Sequence, residues 1–191
     1  MSVFVSRFVL KLFGWKVVKQ NIKEKSYVIV AAPHTSNWDF IIARLGVSWV
    51  GIPQKVLMKK EMFFFPLNYI LRALGAMPID RKGSIKMVDY IIQLFKEKDD
   101  FVFSISPEGT RSYVEKWKTG FYHIATKANV PLVFGRLDYK KKVLEFSDTF
   151  YPTGNFEKDF IKILDHFSDA YGLYPEKFNR KPANITYSPT S

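Results

Sequence analysis

The stretch Tyr27 to Val50, YVIVAAPHTSNWDFIIARLGVSWV, decides how this chain folds. Its first six residues, Tyr27 to Ala32, are apolar and rich in β-branched side chains, which is the composition of a buried strand. Pro33 stops that strand. Ser36, followed three residues later by Asp39, has the form of a capping box, and FIIARLGVSWV continues as a helix. His34 therefore falls on a strand-to-helix turn, and Asp39 in the first turn of the helix.

The same alternation extends outward. Lys55 to Met58, Ala76 to Ile79, Phe101 to Ile105 and Val130 to Phe134 read as strands. Pro66 to Leu74, Ser84 to Lys96, Gly120 to Ala128 and Phe156 to Tyr171 read as helices, the first of them closed by Gly75. Residues 138 to 147, DYKKKVLEFS, suggest a lysine-rich turn and an edge strand. Strands that alternate with helices imply a single α/β domain. Its central sheet is mostly parallel and flanked by helices, with reactive groups beyond the strands' carboxyl ends. The main domain of this reading is 21–171. It is preceded by an N-terminal amphipathic helix within 1–20 and followed by a loosely held tail at 172–191.

Composition narrows the chemistry. A chain of 191 residues, 47% apolar and 17% aromatic, has ample material for one core. The absence of cysteine removes disulfides, thiolate nucleophiles and Cys-based metal sites. No metal-ligand spacing stands out, so neither a metal nor another cofactor is expected. The formal net charge of +11 favours anionic partners: acidic lipid, a phosphorylated substrate or nucleic acid. Scattered basic residues without a nucleic-acid motif weigh against the last. No run of 18 apolar residues and no cleavable signal occur, so a peripheral protein at the cytoplasmic, inner face of a membrane is the expectation. In VFVSRFVLKLFGWKVV, Val3 to Val18, Arg7, Lys11 and Gly14 line one face of a projected helix. Such a helix lies in a membrane interface or packs on the domain's own core.

Three clusters carry candidate chemistry. In PHTSNWD, residues 33–39, an imidazole that titrates near neutrality sits with a carboxylate able to fix its tautomer. The same carboxylate would equally serve as a helix cap. In SPEGTRS, residues 106–112, Pro107 and Gly109 shape a tight turn. Glu108, Thr110 and Arg111 are expected to project near one another, Arg111 with a fork suited to phosphate; a surface Glu–Arg pair fits the same pattern. In GAMPIDR, residues 75–81, Arg81 follows a short extended stretch beside Asp80.

In order along the chain, His34-x-x-x-x-Asp39, Gly75…Ile79-Asp80-Arg81, Pro107-Glu108-Gly109-Thr110-Arg111-Ser112 and Val130-Pro131-Leu132-Val133 resemble the lysophosphatidic acid acyltransferase family and the wider glycerolipid acyltransferases. The resemblance spans roughly Val28 to Phe134. It implies acyl transfer from acyl-CoA or acyl carrier protein, as co-substrate, to a lipid hydroxyl, first the sn-2 position of lysophosphatidic acid. His34 and Asp39 fall on the family's catalytic pair. Lys59, Arg81, Glu108, Gly109, Thr110 and Arg111 fall on its substrate-binding positions. The expected partners are an acyl thioester, a lysophospholipid and an anionic membrane surface. The rival readings are a non-enzymatic binder of anionic membranes and an acyltransferase for another acceptor, such as a lyso-aminolipid.

Overall fold

A computed structural model of the chain describes residues 2–79 and 84–183. In chain order the elements are α1 (Val3–Leu12), β1 (Lys16–Lys19), β2 (Tyr27–Ala32), α2 (Trp38–Trp49), β3 (Gln54–Lys59), α3 (Leu67–Ala73) and β4 (Ala76–Ile79). They continue as α4 (Ser84–Glu97), β5 (Val102–Ile105), α5 (Gly120–Ala128), β6 (Leu132–Asp138), β7 (Val143–Phe150) and α6 (Phe156–Phe167). The described strands form one sheet of seven, in the order β1-β7-β6-β2-β5-β3-β4. Every neighbouring pair is parallel except β6 with β7.

The central position of β2 follows from its sequence. Successive side chains of a strand point to opposite faces. Val28 and Val30 enter a core with Phe103, Phe121, Ile124 and Ile163, under α4, α5 and α6. Tyr27 and Ile29 enter a second core with Leu10, Trp15, Val47 and Leu144, under α1 and α2. A strand buried on both faces must be apolar throughout, and this one is.

The N-terminal helix is shorter than its hydrophobic pattern suggests. It stops at Leu12 because Gly14, at φ 77°, turns left-handed. The Gly14 N–H donates to Lys11 O (2.9 Å) and the Trp15 N–H to Leu10 O (2.8 Å), the paired bonds of a Schellman end. The expected helix to Val18 is thus corrected: Lys16–Lys19 is a strand, and it takes the sheet edge expected for the strand within residues 138–147. Its flanking lysines suit an edge, where charge discourages pairing with other chains. One face of α1 packs on the domain's own core, and its other side is exposed. Ser6 and Leu10 are buried, while Phe4, Phe8, Leu12 and Phe13 are each more than 60% exposed.

The tail also differs from expectation. The helix α6 ends at Phe167, and residues 172–183 pack onto the domain. Phe178 is buried against Trp117, with ring centroids 6.1 Å apart. The Ala183 N–H donates to Glu115 O at 2.9 Å. Aromatic contacts hold a segment whose Pro and Asn content argues for looseness.

Gly75 closes α3 at φ 81°, and a Cβ there would meet the Gln54 backbone oxygen at 2.6 Å. The left-handed conformation alone costs a non-glycine residue about 1–2 kcal/mol. Gly75→Ala should therefore lower stability by more than that in a urea melt, because the backbone clash adds to it. A loss within about 0.5 kcal/mol would contradict the turn described here.

Candidate active site

Parallel pairing of β2 with β5 aligns Val30 with Ile105, so the segments that follow leave the sheet side by side. One carries His34 and the other Glu108. The His34 N–H donates to Glu108 Oε1 at 2.7 Å. The turn that bears the imidazole is thus fastened to the neighbouring loop through its backbone, which leaves the ring free for chemistry.

Asp39 organises the rest. It is 4% exposed, in the first turn of α2. Its Oδ2 accepts the N–H groups of Thr35 (2.6 Å) and Ser36 (2.8 Å) and faces His34 Nδ1 at 3.2 Å. Its Oδ1 accepts the Tyr139 hydroxyl at 2.6 Å. The bond back to Ser36 is one half of the expected capping box; the Ser36 hydroxyl accepts instead from the Trp38 N–H at 3.1 Å. Helix capping and imidazole orientation, alternatives in the sequence, are performed by the same carboxylate. Facing an acceptor, Nδ1 carries the ring hydrogen, so Nε2 presents a lone pair. The His34 side chain is 29% exposed, enough for a substrate atom to reach it. The amides of His34, Thr35 and Ser36 are all engaged by carboxylates, so this turn orients the ring and offers no oxyanion donors from those three groups.

Glu108 departs from its expected place. It is 1% exposed and turned inward, not projecting beside Thr110 and Arg111. Burial pushes its carboxyl up to about 8, with Asp39's charge adding and the bond from the His34 N–H opposing. Arg111 is exposed and donates to Asn37 Oδ1, not to Glu108. Gly109, at φ 67°, serves the turn; a Cβ would come within 2.9 Å of the Lys118 side chain. Thr110 is exposed, and its hydroxyl accepts from the Ser112 N–H at 3.4 Å. Lys59 ends β3, but its side chain lies outside the described residues, as does all of Arg81.

A pocket of about 340 Å³ opens beside the turn, lined by Thr35 to Trp38, Arg111, Tyr174 and Lys177. Tyr139, Tyr174 and Lys177 were not picked out from the sequence. Tyr139 follows the carboxyl end of β6, a position that could have flagged it; Tyr174 and Lys177 arrive from the C-terminal segment with no periodic signal. Burial and Asp39 raise the Tyr139 phenol above its ordinary value, so it stays a donor. Among the described residues, no three His, Asp or Glu side chains gather into a metal-binding group.

A family model described as Acyltransferase matches residues 15–133. The crystal structure of PlsC, the 1-acyl-sn-glycerophosphate (LPA) acyltransferase of Thermotoga maritima, is similar in fold. Its TM-score is 0.59 at 17% identity, over 86% of this chain and 74% of that one. No curated protein sequence matches the chain.

The raised Glu108 carboxyl has a consequence for stability. Between its ordinary value of 4.5 and about 8, the unfolded chain has released this proton while the folded chain keeps it. Stability from this group is therefore present at low pH and lost as pH rises through that window. Glu108→Gln removes the loss and keeps an oxygen for the His34 N–H. Thermal melts from about pH 5 to pH 8 should show the variant gaining on the parent as pH rises. A constant difference across that range would contradict the buried, protonated carboxyl.

Proposed function

The chain belongs to the acyltransferase family, and from that premise we propose that it moves a fatty acyl chain from a thioester to a lipid hydroxyl with His34 as general base. The observation that carries this reading is the His34–Asp39 pair, with Nδ1 turned to the carboxylate and Nε2 left to the substrate. Nε2 takes the proton of the acceptor hydroxyl as the oxygen attacks the thioester carbonyl. A tetrahedral intermediate forms, the carbon–sulfur bond breaks, and the proton passes to the departing thiolate. Asp39 stabilises the imidazolium between those two transfers. No covalent enzyme intermediate is needed.

The proposed acceptor is lysophosphatidate at its sn-2 hydroxyl, and the proposed donor acyl-CoA or acyl carrier protein. What supports a phosphorylated lipid is the +11 charge and the arginine that lines the pocket, Arg111; Arg81 and Lys59 are proposed to join it. What supports a membrane surface is where exposed apolar groups lie. β1 runs antiparallel to β2, so α1 ends at the carboxyl edge of β2, with Leu12 and Phe13 exposed. Trp38 opens α2 at that edge, and Phe64 and Phe65 follow β3 there, between 60% and 80% exposed. No described helix is long and apolar enough to cross a membrane, so these groups would dip into an interface.

His34→Ala should cut kcat/KM by about 10²- to 10⁴-fold with lysophosphatidate and acyl-CoA, while circular dichroism and pelleting with anionic vesicles stay at parent values. Retained turnover would end the general-base role. Vesicle binding without turnover in the parent would favour the non-enzymatic reading. Tyr139→Phe, which strips one bond from Asp39, should lower kcat about tenfold with little change in KM and cost about 1 kcal/mol of stability. An effect confined to KM would place Tyr139 in binding instead.

A further inference from the structure

The segment after α6 is built onto the site from outside the matched region 15–133. Gly172 lies against the catalytic turn so closely that a Cβ would come within 2.7 Å of Thr35 Oγ1. The Tyr174 N–H donates to that same oxygen at 3.3 Å. Beyond the short turn Pro175–Lys177, Phe178 is buried, and Arg180 donates twice to Ala170 O (3.2 and 3.0 Å). Lys177 is thus anchored on both sides, and its ammonium sits over the Tyr174 ring, 4.3 Å from the centroid.

Lys177 and Arg111 line the same pocket, and no acidic side chain lines it with them. Neither cation forms an ion pair among the described residues. Nearby, Arg136 does so with Glu145 and Asp169, and Lys141 with Asp169. Two cations lining one pocket without an acidic partner make it attractive to an anion. The remaining lining offers the Thr35 and Ser36 hydroxyls and the Asn37 amide, which suit phosphate oxygens. Arg111 supplies a planar fork, and Lys177 a rotatable point charge that the Tyr174 ring steadies.

We propose that Lys177 and Tyr174, brought to this pocket by the C-terminal segment, are specificity-determining residues that act with Arg111 on the acceptor's phosphate and select a dianionic headgroup. The inference rests on the acyl-transfer reading above. It adds to that reading by assigning acceptor choice to a segment distinct from the one that carries the dyad.

The test uses the full chain with acyl-CoA and two acceptors that differ only in the phosphate: lysophosphatidate and the matching monoacylglycerol. Lys177→Ala should lower the preference for lysophosphatidate about tenfold through a raised acceptor KM, and Lys177→Arg should restore most of it. Lys162→Ala removes the same charge from exposed α6, away from the pocket, and should leave the preference as in the parent. Inorganic phosphate should compete with lysophosphatidate, and about tenfold more weakly in Lys177→Ala. A change in the acyl-CoA KM alone would assign the pocket to the donor's phosphates and overturn the proposal. Equal effects of the two alanine variants, or no effect of either, would also overturn it. If the parent acylates neither acceptor, the acyl-transfer reading fails; calorimetric binding of inorganic phosphate to the parent and to Lys177→Ala then decides the subsite separately.

Discussion

The Asp39 carboxylate is the point on which the site depends. A carboxylate taken out of water needs its lone pairs occupied. Here the partners are two amides of the preceding turn, an imidazole nitrogen and a phenol from a different part of the sheet. The amide bonds wind residues 34–36 back over the start of α2, which is what brings an imidazole five residues upstream to the carboxylate. The phenol ties that same carboxylate to the turn between β6 and β7. Local chain reversal, helix initiation and ring orientation are therefore one interaction, and none can shift without the others.

That interaction stands on the sheet. β2 is hydrogen-bonded to β5 on one side and β6 on the other, all three parallel, so each delivers its following residues to the same edge. β5 delivers Glu108 and β6 delivers Tyr139. One holds the His34 backbone and the other holds the carboxylate that holds the ring. The apolar interior of each strand fixes register, because a one-residue slip would exchange the two faces of β2 between two cores. Packing far from the chemistry thereby sets distances of 2.6–3.2 Å at the dyad.

Legibility in the sequence followed the range of the interactions. The pairing of His34 with Asp39 could be read because both lie on one short segment, with strand and helix patterns either side. The α/β class and most strand positions could be read because burial on two faces leaves continuous apolar runs. Glu108 was placed outward because turn residues usually are; its pairing with the His34 amide joins segments 74 residues apart and has no local signature. The end of α1 at Gly14 and the strand after it were masked by a hydrophobic pattern that runs through both. The packing of residues 172–183 depends on Trp117 and Thr35, to which no local spacing points.

The N-terminal helix cannot act as a free anchor, because its inner face is part of the core. Leu10 is 2% exposed, and Trp15, just past the helix, is 7% exposed and packs edge-on to Tyr139 with centroids 5.1 Å apart. Tyr139 in turn bonds Asp39. Arg7 lies over the Trp49 ring at 5.5 Å, which fixes the helix to the far end of α2 as well. The exposed phenylalanines of α1 are therefore carried on a surface rigidly joined to the dyad. On the proposed function, a lipid interface that took them up would also fix how His34 is presented to it, and the reach of a lipid hydroxyl to Nε2 would be a property of the docked orientation. The basic pocket beside the turn would then have a geometric role besides its charge. On the proposed function it would hold a headgroup at a set depth from the same edge, and depth would distinguish one hydroxyl of a glycerol backbone from the next.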